Sequence, residues 1–406
     1  MADRTPIIRV EQITKIFGKH PKHGLKLLKS GKTKQEILRE TGMTVGVNQA
    51  TFEVYPGEIF VIMGLSGSGK STLVRLLNRL IEPTDGNIYI DGQNIVHMKN
   101  EELRDIRRKK ISMVFQQFAL FPHRTVLENA AYGLEIQGVK KAERFQKAKQ
   151  YLELVGLQGY ENSYPAELSG GMQQRVGLAR ALANDPDVLL MDEAFSALDP
   201  LIRKDMQDEL IALQQKMEKT IIFITHDLDE ALKLGDRIAL MKDGSIVQIG
   251  TPEEILIQPA NDYVERFVAD VDISKVLTAQ HVMIRPETLL YDRGPHVALQ
   301  LMRTRGISSL YLVDKQHQLV GAVSAELASE AAKTGKSLTD VMMTDLPTVT
   351  PDTLISDMYD KMSSHPLPLP VIDEDNKLKG IVINGSVIAA LAGNESILNG
   401  NGGNLT

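Results

Sequence analysis

The stretch "GLSGSGKST" at 64–72 constrains this chain more than any other. It follows the apolar run "EIFVIM" and precedes the amphipathic "STLVRLLNRL", so it reads as a turn between a buried strand and a helix. Gly64, Leu65, Ser66, Gly67, Ser68, Gly69, Lys70 and Ser71 fit the pattern G-x-x-x-x-G-K-[ST], and Thr72 carries on into the helix. The glycines let successive backbone N–H groups turn inward around phosphates, Lys70 adds charge, and the Ser71 hydroxyl is a Mg²⁺ ligand. A strand–loop–helix unit of this kind belongs to an α/β fold.

Two further segments have the same flavour. "DVLLMDEA" (187–194) is a short apolar run ending in Asp192 and Glu193, as a buried parallel strand with catalytic groups at its C-terminal end would. Asp192 suits the Mg²⁺ shell, and Glu193 suits a general base that polarises water; an exposed acidic pair is the alternative. "LSGGMQQR" (168–175) is a second helix start, in which Ser169, Gly170 and Gly171 leave backbone N–H groups open to an anion. "TIIFITHD" (220–227) is another such strand and delivers His226 at its end, with a capped strand-end histidine as the plainer reading.

At 406 residues, 43% hydrophobic and 24% charged, the chain predicts two or three globular domains. A net charge of −6 argues against a protein that coats nucleic acid. With no cysteine, thiolate chemistry and disulfides are excluded. "MADRTPIIRVEQ" lacks the apolar core of a secretory signal, and no apolar run reaches the ~18 residues of a bilayer span. The expectation is a chain soluble by itself whose membrane role comes through partners.

Residues 7–15 and 50–62 read as strands, 101–160 as mostly helical, and 237–252 as a hairpin turning at Asp243-Gly244. Beyond a helical connector the chain repeats itself. "VMIRPETLL" begins at 282 and its echo "VMMTDLPTV" at 341; "LVDKQHQLVGAV" begins at 312 and "VIDEDNKLKGIV" at 371, both 59 residues apart. Two matches in one register indicate a tandem duplication, each copy reading strand, helix, strand, Asp-containing turn, strand. Between Lys19 and Lys34, six lysines, including Lys22, Lys26, Lys29 and Lys32, occur with no acidic residue among them. This segment reads as a basic helix–turn–helix with Leu25 and Leu28 on one face. A solvated basic face is the commonest meaning of such a run, and a contact with anionic lipid, screened by salt, is the alternative.

The order Gly64–Ser71, "LSGGMQQR", "LLMDE", "SALD" (196–199) and His226 resembles the ATP-binding cassette family over about residues 5–255. The resemblance implies a P-loop ATPase domain with a RecA-like core and a helical subdomain. It also implies ATP and Mg²⁺ as ligands, Gln116 as the glutamine that senses Mg²⁺ and the transport partner, Asp199 at a dimer seam and His226 on the γ-phosphate. Phe17 matches an aromatic that stacks on adenine in relatives; a core Phe is the alternative. The wording around the phosphate loop and "LLMDEAFSALDPLIRKDMQDEL", with the basic insertion, is similar to ATPase subunits of glycine betaine/proline importers. The repeat resembles a pair of CBS domains (α+β), modules that often bind adenine nucleotides. Here Leu327 stands where the usual Asp would be and Ile383 at the Ser/Thr position, which puts ordinary ribose recognition in doubt. A cyclic dinucleotide or a purely dimerising role are the other readings of the pair.

The domain plan expected from these readings is an ATPase domain at 1–252 with its insertion at 19–42, a linker at 253–276, CBS copies at 277–335 and 336–394, and a flexible tail at 395–406. One nucleotide cannot easily use two helix N-termini from different subdomains of one chain. The expectation is therefore a head-to-tail pair of copies, each lending "LSGG" to the other. Integral membrane permease subunits with a substrate-binding component, an anionic lipid surface and no nucleic acid complete the partner list, at the cytoplasmic face of the cell membrane. The rival readings are an importer for another solute and a soluble nucleotide-sensing ABC protein uncoupled from transport.

Overall fold

The computed structural model describes residues 5–269 and 271–391, so the tail expected at 395–406 lies outside the described residues. The chain divides into two compact units, Met1–Val271 and Asp272–Thr406.

The first unit holds two sheets. Ten strands run in chain order: β1 Ile8–Phe17, β2 Thr44–Val54, β3 Ile59–Met63, β4 Asp85–Ile90, β5 Gln93–Asn94, β6 Ile111–Phe115, β7 Val188–Asp192, β8 Thr220–Thr225, β9 Arg237–Lys242 and β10 Ser245–Gly250. The antiparallel sheet has the order β2-β1-β4-β5, and the larger one β10-β9-β3-β8-β7-β6. In the larger sheet β9, β3, β8, β7 and β6 are parallel, and only β10 is antiparallel, joined to β9 as a hairpin. Every residue of β3 and β8 is buried, as a parallel sheet covered on both faces requires. Phe60, Ile62, Leu190, Ile222 and Ile224 belong to one core with Leu73, Val74 and Leu77 of the helix α3 (Lys70–Leu77). A helical group formed by Val126–Ala130, Tyr132–Ile136, Lys141–Leu154 and the signature helix Gly170–Leu182 packs beside this sheet.

Two sequence expectations are refined and a third, the hairpin, is met. The stretch 50–62 is not one strand: Gly57, at φ +79°, turns the chain between β2 and β3. The expected helical region 101–160 contains β6, a five-residue edge strand paired to β7. The hairpin at 237–252 turns on Asp243 and Gly244, both at positive φ (+51° and +88°), the geometry of a type I′ turn.

The basic segment forms a helical hairpin of helix α1 (Pro21–Lys29) and helix α2 (Lys34–Thr41). Leu25, Leu27 and Leu28 pack with fully buried Ile37 against Ile16, Met43 and Val45, so the insertion sits on the β1–β2 hairpin. Thr33 and Glu36 form a capping box that fixes the start of α2.

The second unit shows the duplication in three dimensions. Strands Ser309–Val313 and Leu319–Ser324 of copy one correspond at the 59-residue offset to Leu369–Ile372 and Leu378–Val382 of copy two, and helix Pro295–Arg305 corresponds to Ile355–Ser364. The first strand of copy one, Thr288–Leu290, is reduced in copy two to a single bridge between Val349 and Val371. The copies interlock reciprocally. Leu319 N donates to Asn376 O (2.9 Å) and Leu378 N to His317 O (3.1 Å). Ile284 bridges to Ile381, and Met343 to Ala322. Each interlock has its glycine: a Cβ on Gly380 would meet Met283 Sδ at 2.7 Å, and one on Gly321 the Met343 carbonyl at 2.7 Å.

Candidate functional site

The phosphate loop joins β3 to α3 in a conformation that glycine makes possible. Gly64 (φ +146°) and Gly69 (φ +107°) approach the backbone so closely that a Cβ would lie 2.3 Å from the carbonyls of Met241 and Gly46 respectively. Lys70 is buried and folds back on the loop, donating to Gly64 O (2.8 Å) and Leu65 O (3.2 Å). Burial pulls its ammonium below the ordinary lysine value, and the carboxylates of Glu193 and Asp192 oppose that shift.

The parallel sheet order places the ends of β7 and β8 beside this loop. Ser71 Oγ donates to Asp192 Oδ1 at 3.3 Å. Burial raises the Asp192 carboxyl above the usual carboxylate value; the Ser71 hydrogen bond and the Arg75 charge act against it. A hydroxyl beside a desolvated carboxylate is an oxygen donor pair that suits a hard cation such as Mg²⁺. Among the described residues no group of three or more His, Cys, Asp or Glu side chains could hold a metal alone, so nucleotide and water would complete the shell.

Glu193 has a left-handed backbone (φ +47°) and its N–H donates to Ile224 O at 3.1 Å, tying the end of β7 to β8. Its Oε2 lies 3.4 Å from His226 Nδ1. Gln116, just past the end of β6, donates through Nε2 to Ser196 Oγ (3.1 Å), and Ser196 Oγ donates to Glu193 O (2.9 Å). Sequence reasoning missed Ser196 as a link, because its two partners are joined only by the fold. It also missed Arg180 of the signature helix, which donates to the carbonyls of Ala119 (2.7 Å) and Phe118 (3.0 Å) and so clamps the loop that follows Gln116.

A cleft of about 570 Å³ lies over the loop. Leu65, Ser66, Gly67, Gly69, Lys70, Ser71, Thr72, Glu193 and His226 line it, with Phe17 at its edge. Ser68 is buried behind the loop instead. Phe17 is exposed, and its ring lies over Gly46, where a Cβ would meet it at 2.7 Å. Lys34 of the insertion also reaches the cleft, although the sequence reading placed it only in the basic run.

Ser169, Gly170, Gly171 and Asp199 do not line this cleft. Ser169 caps its own helix, accepting from Met172 N (3.4 Å), and Asp199 caps the next, accepting from Ile202 N (3.0 Å). Ser169, Gly170 and Asp199 are exposed. Of the four lysines singled out, Lys29 pairs with Asp85 (2.7 Å) and Lys32 with Glu40, while Lys22 and Lys26 are exposed. In the C-terminal unit Ser324 caps the helix Ala325–Thr334, accepting from Leu327 N (3.2 Å).

A second, apolar groove of about 390 Å³ opens between the end of β6 and the helical group, lined by Leu80, Met113, Phe115, Phe121, Tyr132 and Ile136. Among the described residues no helix is long and apolar enough to cross a membrane.

Known proteins share this arrangement. Residues 47–196 match the family described as ABC transporter, and residues 338–393 the CBS domain. The chain is 65% identical, over 99% of its own length and 96% of the relative's, to the glycine betaine transport ATP-binding protein OpuAA of Bacillus subtilis. It is 60% identical to the glycine betaine/carnitine transport ATP-binding protein GbuA of Listeria monocytogenes, covering 97% of this chain and 99% of that one. A solved ATP-binding cassette, described as a dimer in a post-hydrolysis state bound to ADP and Pi, matches with a TM-score of 0.52 and 32% identity, covering 60% of this chain and 98% of that one. A nucleotide-binding α/β cassette with a CBS module, similar nearly end to end to transport ATPases, leaves one assignment: the chain belongs to the ABC transporter family, among the ATP-binding subunits of the glycine betaine type.

Proposed function

We propose that the chain binds Mg-ATP in the cleft over Gly64–Thr72 and hydrolyses it to drive import of a compatible solute, a glycine betaine- or proline-like quaternary amine. One observation carries this reading: Ser71, Asp192, Glu193 and His226 converge on one phosphate loop. Ser71 and Asp192 would hold the Mg²⁺, which neutralises phosphate charge when bound. Glu193 accepts the proton of the attacking water as its oxygen bonds to the γ-phosphorus, and the bond to the β–γ bridging oxygen breaks, leaving ADP and phosphate. His226 and Gln116 position the γ-phosphate and that water, and Phe17 stacks on the adenine.

Ser169, Gly170, Gly171 and Asp199 serve a second copy. They sit outside their own cleft, and a head-to-tail pair brings them to the partner's nucleotide. The apolar groove beside Gln116 receives an integral membrane permease subunit, holding the chain at the cytoplasmic face of the membrane. Leu80, Phe115 and Ile136 are exposed large apolar side chains at this groove, the kind of patch an interface covers. Within the insertion the lipid-facing charge rests on Lys22 and Lys26, since Lys29 and Lys32 have acidic partners. The CBS pair regulates the ATPase through an adenine nucleotide or cyclic dinucleotide. Residues 1–252 form the ATPase domain, 253–276 the linker, and 277–335 and 336–394 the two copies.

The test is copurification from membranes followed by reconstitution. A permease should come down with the chain, and the proteoliposomes should take up glycine betaine only with ATP inside. If no integral membrane protein copurifies, the transport reading fails.

A further inference from the structure

The insertion does more than present lysines to solvent. The Thr33–Glu36 capping box fixes the start of α2, with Glu36 Oε2 accepting from Thr33 N at 2.7 Å. Ile37 is fully buried against Ile16, Met43 and Val45, which fixes the orientation of the helix. Lys34 stands one turn before Ile37 and so shares its face. That face directs the Lys34 side chain over the phosphate loop: its Nζ lies 3.4 Å from Gly67 O, and it lines the cleft with Phe17, Gly46 and Ser66.

The contact is electrostatically incomplete. A lysine has three donors, and a single long bond to a neutral carbonyl uses one of them. Lys29 and Lys32 of the same hairpin meet Asp85 and Glu40, whereas among the described residues Lys34 has no acidic partner within ion-pair distance. An ammonium held over a phosphate cradle without a carboxylate is matched by one ligand chemistry, a nucleoside polyphosphate.

We propose that Lys34 is a nucleotide-binding residue, supplied by the insertion. When ATP occupies the cleft, its ammonium moves from the Gly67 carbonyl to the phosphates, so the α1–α2 hairpin is clamped to the cassette by the nucleotide. This rests on the reading that the cleft takes ATP, and it adds a second lysine that the phosphate-loop pattern does not contain.

The experiment is calorimetric titration of the full chain with ATP and Mg²⁺, alongside amide hydrogen exchange of residues 33–41. Lys34→Ala should weaken ATP binding about tenfold, the scale of one charge-assisted hydrogen bond. Lys34→Arg should stay within about threefold of wild type, because it keeps the charge and the donors. ATP should slow exchange across 33–41 in the wild type and not in Lys34→Ala. Lys34→Gln, with a melting temperature equal to that of wild type, should reproduce the loss without misfolding. Arg39→Ala, an exposed cation on the same helix, should bind as wild type does; an equal loss there would mean a diffuse field and overturn the proposal. Wild-type affinity in Lys34→Ala also overturns it while leaving the ATP site standing. Failure of the wild-type chain to bind ATP overturns both.

Discussion

Replacing Glu193 by Gln tests the chemistry with little disturbance of shape. The substitution is isosteric and the backbone contacts remain: the N–H to Ile224 O at 3.1 Å and the carbonyl that accepts from Ser196 at 2.9 Å. The lost partner is His226, 3.4 Å away and more than half exposed, so the folded state loses little. Two effects remain. Removing a general base costs roughly 10²- to 10⁴-fold in turnover. Removing a negative charge beside Lys70 and Asp192 also makes the cleft less hostile to a polyanion. Partly screened by solvent, that change strengthens ATP binding by roughly three- to tenfold. The assay is phosphate release under single-turnover conditions, with ATP affinity by calorimetry and self-association by light scattering. The expected variant hydrolyses at least ~100-fold more slowly, binds ATP at least as tightly as wild type, and accumulates as an ATP-bound pair. Phosphate release within a few-fold of wild type removes Glu193 from the base role. Loss of hydrolysis together with loss of ATP binding refutes the charge argument.

Three further outcomes are expected. Ser169→Arg should leave ATP affinity within about twofold of wild type, because Ser169 is outside its own cleft, and should abolish hydrolysis in the assembled pair; residual turnover above ~10% would contradict a role at a partner's site. Asp192→Asn should raise the melting temperature of the nucleotide-free chain at neutral pH and weaken, without abolishing, the dependence of ATP binding on Mg²⁺, since Ser71 and the phosphates remain. The sign follows from burial: the folded carboxyl holds its proton more tightly than the unfolded one, so stability is lost as pH rises from the unfolded value through the raised folded one. The wild-type melting temperature should fall more steeply across that window than that of Asp192→Asn, which keeps the carboxyls of Glu58 and Glu230 that burial also raises. In the C-terminal unit, Gly321→Ala should destabilise more than Gly380→Ala in scanning calorimetry, at about 1–3 kcal/mol for the former. Its Cβ meets a backbone carbonyl at 2.7 Å, whereas that of Gly380 meets Met283 Sδ at 2.7 Å, which can rotate away, and Met283 Cβ at 2.9 Å, which requires a smaller backbone shift.

The parts of the site legible in the sequence are those whose chemistry is local. Gly64 to Thr72 must be a strand–loop–helix cradle, and Asp192 and Glu193 must end a buried strand, because residue type and spacing fix both. The strand β6 was hidden because a five-residue segment, "ISMVF", with Ser112 interrupting its four apolar residues, sits between charged helical stretches, and only pairing with β7 makes it a strand. Ser196 was hidden for a similar reason: its partner Gln116 is distant in sequence and comes within 3.1 Å only when β6 and β7 lie side by side. Lys29 looked uncompensated in a run without acids, yet its partner Asp85 arrives from β4. In the repeat, the 59-residue offset was plain, but the packing of Met283 on Gly380 required knowing that each copy's leading segment crosses to the other.

The signature helix shows how far physical reasoning reaches beyond a motif. Two glycines follow Ser169, and the structure gives them different reasons. Gly171 is crowded by its own chain, since a Cβ would lie 2.7 Å from Ile202 Cγ2 and that side chain would have to shift. Gly170 has only ordinary contacts, at 3.7 Å and beyond, so nothing within this chain requires it to be glycine. An exposed helix start, bare of side chain where its own fold would accept one, is shaped for an approach from outside. Arg180, further along the same helix, grips the loop after Gln116, which in turn reaches Glu193 through Ser196. The helix start is thus connected, by rigid helix and three hydrogen-bonded links, to the backbone carbonyl of Glu193 at the chain's own cleft. That continuity supports the reading of two clefts that fire only when a pair is closed, with the apolar groove on the same helical group as the surface through which a permease feels the closure.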